Sequence, residues 1–286
     1  MKKIAIFLLT SLLVLLLVGC NNGESGEQNP EPGDGYNYEI VVKTDTGKLL
    51  SGVTVELLDE SGKFLDYGAT DTHGKFTSRS LNLNKVTAKL YDIPEGYKVA
   101  EKYEISDTVS TILLETKLLP EADLTNTVYR LGNIMKDFTL TDKNGVTYTL
   151  SQLLKEKDAV VLNFWYNTCK FCLQEFPGMD NAYKEYKDKI EILAINSVDT
   201  AFVSATDSLT FPLICDTIGV ENSFSSGYGA WANPATIVID RYGVVSFLHV
   251  GALNEQELTE LFEYYTKEDY VHSEFGSYAD FENRAE

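Results

Sequence analysis

The chain is short of positive charge: 24 Lys and Arg stand against 43 Asp and Glu in 286 residues, a formal net charge of −19. Nucleic-acid binding requires phosphates to be neutralised by clustered cations. No basic stripe occurs, so nucleic acid is excluded as a partner. The same acidity would repel anionic headgroups, so attachment to a membrane needs a cause other than surface charge. Histidine is scarce, with three residues, and cysteine numbers four, which leaves few ligands for a metal. A spanning helix is also lacking. The one long apolar run, Ile4 to Val18, broken only by Thr10 and Ser11, has about fifteen residues where a bilayer needs roughly twenty. With 44% hydrophobic and 23% charged residues, the remainder has a globular composition, and its length suits two domains.

What the N-terminus does contain is a short positive segment, Lys2-Lys3, then that apolar run, then Leu17-Val18-Gly19-Cys20. This is the layout of an export signal. Its last four residues resemble the lipobox of bacterial lipoproteins. The resemblance implies a signal peptide over 1–19, acylation of Cys20, and a chain held at the extracytoplasmic face of the bacterial cell membrane. An ordinary secretory signal with a chance cysteine is the blander reading, but a small residue directly before Cys at the end of the run is a specific pattern. One acyl chain anchors weakly and two anchor stably. Residues 20–37, rich in Asn, Gly, Glu and Pro, read as a flexible tether.

From 38 to 119 the pattern is short alternating strands. Tyr38–Thr44, Val53–Leu58 and Val86–Tyr91 are β-branched and aromatic-rich, punctuated by Thr46-Gly47, Ser61-Gly62 and His73-Gly74. The turn chemistry, with Ile93-Pro94-Glu95-Gly96-Tyr97, resembles small all-β prealbumin-like sandwiches such as collagen-adhesin B-type repeats and carboxypeptidase regulatory domains. That resemblance implies a spacer or docking surface.

Over 127–267 strands alternate with helices. Asn144-Gly145 between Phe138-Thr139-Leu140 and Val146-Thr147-Tyr148 signals a hairpin. Ser151–Lys157 reads as a short helix. Ala159–Trp165 reads as a continuous apolar run, as a buried central strand does. A helix is expected from Cys169 to Tyr186, a buried strand over Ile190–Ile195, a hairpin through Arg241-Tyr242-Gly243, and an amphipathic helix over Glu255–Tyr265. The predicted class is α/β, a central mixed sheet flanked by helices. The acidic tail, 268–286, has no reading.

Cys169-Lys170-Phe171-Cys172 falls just past the central strand, where a helix begins. Unpaired N–H groups and the positive end of the helix dipole stabilise a thiolate there. Cys169, the more N-terminal and more exposed sulfur, is the expected nucleophile. Cys172, one turn inward, is the resolving thiol.

The whole segment resembles the extracytoplasmic, TlpA- and ResA-like branch of thioredoxin-fold thiol–disulfide oxidoreductases. The resemblance is carried by Phe164-Trp165 before the CxxC and Glu175-Phe176-Pro177 after it. Further on it is carried by Phe211-Pro212 with Asp216, by Asn233-Pro234, and by Asp240-Arg241-Tyr242-Gly243. It implies a redox-active Cys169–Cys172 disulfide, Glu175 as a catalytic carboxyl near the sulfurs, and a cis Pro234. Trp165, Asn233 and Pro234 would form the substrate-binding wall. No cofactor is implied. The partners are protein thiols or disulfides and a membrane electron donor, and reductase work such as cytochrome c maturation is favoured. Thr168 stands where many relatives have Trp, and the inner dipeptide lacks their Pro.

Half of a zinc site is the bland alternative for a CxxC, but only Cys215, His249 and His73 could complete it. A peroxiredoxin would have Thr three residues before its reactive Cys, where this chain has Tyr166. Cys215 itself reads as a buried free thiol, a small hydrophobe. From a different class, the chain would be a cell-surface binding or adhesion lipoprotein that uses the β-sandwich, with the α/β unit as scaffold. An intact CxxC at a helix start argues against that.

Overall fold

The computed structural model describes residues 35–119, 130–196, 198–215 and 233–285. The expected signal segment, Cys20 and most of its tether, the connector after Leu119, and Asp216 lie outside the described residues.

The first half folds as strands β1 (Glu39–Thr44), β2 (Thr54–Leu58), β3 (Phe64–Ala69), β4 (Lys75–Thr77), β5 (Val86–Tyr91), β6 (Tyr97–Lys98), β7 (Tyr103–Ile105) and β8 (Val109–Thr116). They make two four-stranded sheets, β4-β1-β8-β6 and β3-β2-β5-β7. Alternate residues of each strand face inward. Ile40 and Val42 from one sheet and Val55, Leu57, Ala88 and Leu90 from the other share one core with Tyr38 and Phe76.

The second half adds β9 (Thr139–Thr141), β10 (Thr147–Thr149), α1 (Leu150–Leu153), β11 (Ala159–Trp165), α2 (Lys170–Tyr186), β12 (Ile190–Asn196), β13 (Leu213–Cys215), β14 (Ala235–Asp240), β15 (Val245–Val250), α3 (Glu255–Tyr265) and α4 (Tyr278–Arg284). The helix expected over 151–157 is a single turn that starts one residue earlier. The main sheet runs β13-β12-β11-β14-β15. β13, β12 and β11 are parallel, and β14 and β15 are antiparallel, which is the thioredoxin arrangement. All seven residues of β11 and all seven of β12 are buried, because helices cover one face of the sheet and β9, β10 and α1 cover the other. Val161 and Trp165 face α2 and α3. Val160, Leu162 and Phe164 face Phe138, Leu140 and Leu150.

Four of the aspartates are spent on turns. Four turns, three of them hairpins and one a crossing from β3 to β4, close through Asp-x-x-Gly: Asp59–Gly62, Asp71–Gly74, Asp142–Gly145 and Asp240–Gly243. In each, Oδ1 of the Asp accepts two backbone N–H groups, from the second and fourth residues after it. The Gly, at φ between 66° and 83°, supplies the left-handed position that other residues adopt poorly. Gly243 has a second duty, since its bare backbone lies against the Leu118 side chain. That contact, with Leu119 N–H bonded to Met135 O at 3.0 Å and Asp137 N–H to Leu119 O at 2.9 Å, docks the end of the β-rich half on the α/β half.

The segment after α3, for which the sequence offered no reading, is core. Phe275 pairs with the outer strand β15, donating its N–H to Ser246 O and accepting from Leu248 N–H, which covers a sheet edge otherwise open to other chains. Tyr270, Phe275, Tyr278 and Phe281 join the cluster of Phe176, Leu258 and Phe262. Buried Asp240 secures the segment, accepting from the Tyr270 hydroxyl at 2.8 Å and from His272 Nδ1 at 2.6 Å.

Burial pulls the His272 pKa down, but the bond to Asp240 and the charges of Asp240 and Glu274 outweigh it, and the net shift is upward. A raised folded-state value means the stabilisation is complete below the unfolded value, about 6.5. It is lost as pH rises through the folded value. The stability gap between wild type and His272→Gln in urea should therefore be widest near pH 6 and narrow toward pH 9. A gap that widens with pH would contradict the ion pair.

Candidate active site

Cys169 is the N-cap of α2, extended at φ −73° and ψ 99°, and its Sγ accepts the backbone N–H of Cys172 at 3.2 Å. A sulfur so placed takes one of the helix's unpaired donors and lies at the positive end of its dipole. Cys169 and Cys172 are joined as a disulfide, with Cα atoms 5.3 Å apart. Cys169 was expected to be the more exposed of the two sulfurs, and by a small margin it is. It is only 3% accessible, and Cys172 is fully covered. The exposed surface here belongs to Thr168, Lys170 and Phe171. Cys169 Sγ lies 3.5 Å from the carbonyl oxygen of Asn233, and the Asn233–Pro234 bond is cis, so Asn233 and the sulfur share one wall.

The approach to the CxxC is tied down from β12. Asn167 N–H donates to Asp199 Oδ2 at 2.7 Å, and Asn167 Nδ2 to Ala201 O at 2.7 Å. The fully buried Asn196 donates to both Asn167 and Asp199. Trp165 departs from its expected place in the substrate wall. It is fully buried, edge-on to Phe176 at 5.1 Å and stacked on Phe202 at 5.9 Å, so it supports the site from beneath. Cys215, expected to be buried, is an exposed free thiol at the end of β13. Burial of part of its surface and the nearby charge of Asp199 raise its pKa. His73 lies in an exposed turn of the β-rich half, and His249 on β15 accepts Tyr278 N–H at 3.2 Å. Among the described residues no three His, Cys, Asp or Glu side chains cluster as a metal site would require.

Glu175, one turn after Cys172 on α2, is 3% exposed. Its Oε1 accepts the Leu253 N–H at 2.8 Å and its Oε2 accepts Asn163 Nδ2 at 3.2 Å. The Leu253 amide reaches it because α3 starts close to α2. A Cβ on Gly178 would lie only 3.0 Å from Glu255 Cβ and 3.1 Å from its backbone nitrogen. Asn254 fixes that start with a capping box, in which it and Glu257 bond each other's backbone N–H. Burial pushes the Glu175 pKa up to about 7, against the lowering pull of Leu253 and Asn163, and the charge of Glu257 adds a little to the rise. The carboxyl is poised to gain or lose a proton near neutrality. Asn163 and Thr236, both fully buried, were not singled out from sequence. The one signal was a lone Asn inside an apolar strand.

A family model described as the AhpC/TSA family matches residues 131–248. "Thioredoxin-like protein YneN" of Bacillus subtilis is 33% identical over 137 residues, covering 45% of this chain and 76% of that protein. "Thiol-disulfide oxidoreductase ResA" of Halalkalibacterium halodurans is 34% identical over 140 residues, 47% of this chain and 76% of its own. The chain belongs to this thioredoxin-like oxidoreductase family. Among solved structures, the thioredoxin domain of a thiol–disulfide oxidoreductase from Bacteroides vulgatus is 20% identical, with TM-score 0.39 over 48% of this chain and 99% of that one. The family's chemistry, dithiol–disulfide exchange on protein thiols and disulfides, is the chemistry of this chain. Its α/β half carries that chemistry, and these relatives match about half of the chain.

Because the folded state holds Glu175 with a raised pKa, it binds more protons there than the unfolded chain between about pH 4.5 and 7. Stability therefore falls as pH rises through that window and levels off above it. Chemical denaturation of the oxidised protein should show this decline, and Glu175→Gln should flatten it. An unchanged slope in the variant would refute the raised pKa.

Proposed function

We propose that the chain is a lipid-anchored extracytoplasmic reductase whose working pair is Cys169 and Cys172. The observation that carries the reading is the sulfur of Cys169 at the helix start, bonded to Cys172 N–H and facing Asn233 O beside a cis proline. In the reduced enzyme the Cys169 thiolate attacks one sulfur of a substrate disulfide. That bond breaks, a mixed disulfide forms, and the leaving thiolate takes a proton. Cys172, deprotonated with the help of Glu175, then attacks Cys169 Sγ and releases the second substrate thiol. Two electrons have passed to the substrate, and the enzyme holds the Cys169–Cys172 disulfide, the state present here. A membrane electron donor would restore the dithiol. Asn233 and Pro234 would pair with the substrate backbone, and the exposed Phe171 would supply an apolar contact.

The anchor would be Cys20, after removal of residues 1–19, with 20–37 as tether. Among the described residues no helix is long and apolar enough to cross a membrane, so attachment would rest on lipid. The β-rich half, read as a prealbumin-like sandwich over 38–119, would hold the 127–267 unit away from the surface or dock a partner. A role in cytochrome c maturation is one form this work could take. The purely adhesive alternative has nothing in its favour once the oxidoreductase relatives cover the α/β half.

Purified protein should reduce insulin with a dithiol donor. Cys172→Ser should stall as mixed disulfides with protein substrates, and Cys169→Ser should capture none. Capture by Cys169→Ser alone would reverse the roles. A couple near about −270 mV fits reductase work, and one near about −120 mV would make the chain an oxidant. Separately, Cys20→Ala should release the protein from the membrane fraction. Retention would remove the lipid anchor from the reading.

A further inference from the structure

Asn163 is in the central strand, where each neighbouring side chain is apolar and buried. Its Nδ2 has two hydrogens and both are spent, one on Glu175 Oε2 at 3.2 Å and one on Thr236 Oγ1 at 3.3 Å. Its Oδ1 is buried with no partner among the described residues. An asparagine retained only to fill the core would leave its carbonyl paired, since an unpaired buried acceptor is costly. An apolar side chain would fill the same space without that cost. Here the fold tolerates an orphan acceptor in order to aim a donor at the carboxyl. Thr236, on the neighbouring strand β14, is two residues past Pro234, so the strand that orients the amide follows directly on the Asn233–Pro234 turn whose carbonyl faces Cys169 Sγ.

We infer that Asn163, oriented by Thr236, is a positioning residue of the redox site that acts through Glu175, donating to its ionised form and so setting the pH at which the carboxyl can take a proton from the cysteines. This rests on the acid–base role given to Glu175 above. Two donors hold the ionised carboxylate, Leu253 N–H from the start of α3 and Asn163 from β11. The charged group facing it from α3 is Glu257. On α2 itself it faces the buried Cys172 and, beyond it, Cys169. Of the two donors only Asn163 is a side chain, and so only it is open to substitution.

The test uses the full chain, with the Glu175 carboxyl followed by carbon NMR and the alkylation rate of reduced Cys169 and Cys172 followed against pH. Asn163→Leu, close in shape, should move the Glu175 midpoint alkaline by about one pH unit, tenfold in proton concentration, and carry the alkylation profile with it. Thr236→Val should move both the same way by less, and Thr236→Ser, which keeps the hydroxyl, should restore the wild-type midpoint. A Glu175 midpoint unmoved in a folded Asn163→Leu protein would overturn the inference. If the midpoint moves but the alkylation profile stays put, Asn163 is linked to Glu175 but not to the thiols, and the inference falls at that step. If Glu175→Gln itself leaves alkylation and insulin turnover unchanged, it is the acid–base role of Glu175 that fails, a result the carboxyl titration tells apart.

Discussion

A strand with both faces buried must have every side chain either apolar or hydrogen-bonded, because water can reach neither face. β11 is such a strand, and its one polar residue, Asn163, therefore has to find partners inside the protein. It finds them on two different elements, α2 through Glu175 and β14 through Thr236. Glu175 in turn reaches the start of α3 through Leu253. Four elements thus converge on one buried polar chain directly beneath the disulfide. The closeness of α2 to α3 at Gly178 makes that convergence possible, and the raised pKa of Glu175 follows from its burial there. A bare glycine lets the helices approach, the approach brings an N–H to the carboxyl, and the shared burial keeps the carboxyl's proton affinity high.

Coupling between carboxyl and sulfur follows from helix geometry. Glu175 is three residues after Cys172, and side chains at that spacing have Cβ atoms about 5–6 Å apart on one face. Charges at such a distance in a poorly hydrated core disfavour each other strongly. In the reduced enzyme an ionised Glu175 would therefore oppose ionisation of Cys172. Reducing the disulfide makes a proton acceptor where there was none, and a buried carboxyl on the same helix with a pKa raised to about 7 would be able to supply or take that proton. The helix N-terminus does the opposite for Cys169, whose sulfur is favoured as an anion.

The mixed sheet, the helix carrying the CxxC, the Arg241-Tyr242-Gly243 hairpin and the cis Pro234 were legible because each has a local signature: apolar runs, an N-cap sulfur, turn glycines, a family segment. What the sequence did not disclose depends on contacts between distant positions. Trp165 reads as a substrate contact until Phe176 and Phe202 are seen to enclose it. Cys215 reads as core because its strand neighbours are apolar, yet it ends a short strand and is open to solvent. Asn163 carries no local marker beyond its oddness in an apolar run. The segment from 268 onward looked like a charged tail because its acidic residues outnumber its four aromatic anchors. Burial is decided by where those anchors land, and all four land in one cluster.

That last segment changes how the edge of the sheet is to be understood. β15 is the outermost of the five main strands, and an uncovered outer strand offers its backbone to any extended chain. Here Phe275 occupies that backbone and Asp240 holds the neighbouring Tyr270 and His272. Closing the β15 edge removes one backbone-pairing surface from the sheet, while the Asn233–Pro234 wall proposed above for substrate stays beside Cys169. An extended substrate captured on β15 would be held on the sheet's outer edge, where no sulfur waits. Covering that edge with the chain's own residues would leave the proposed Asn233–Pro234 wall without that competitor for an extended chain.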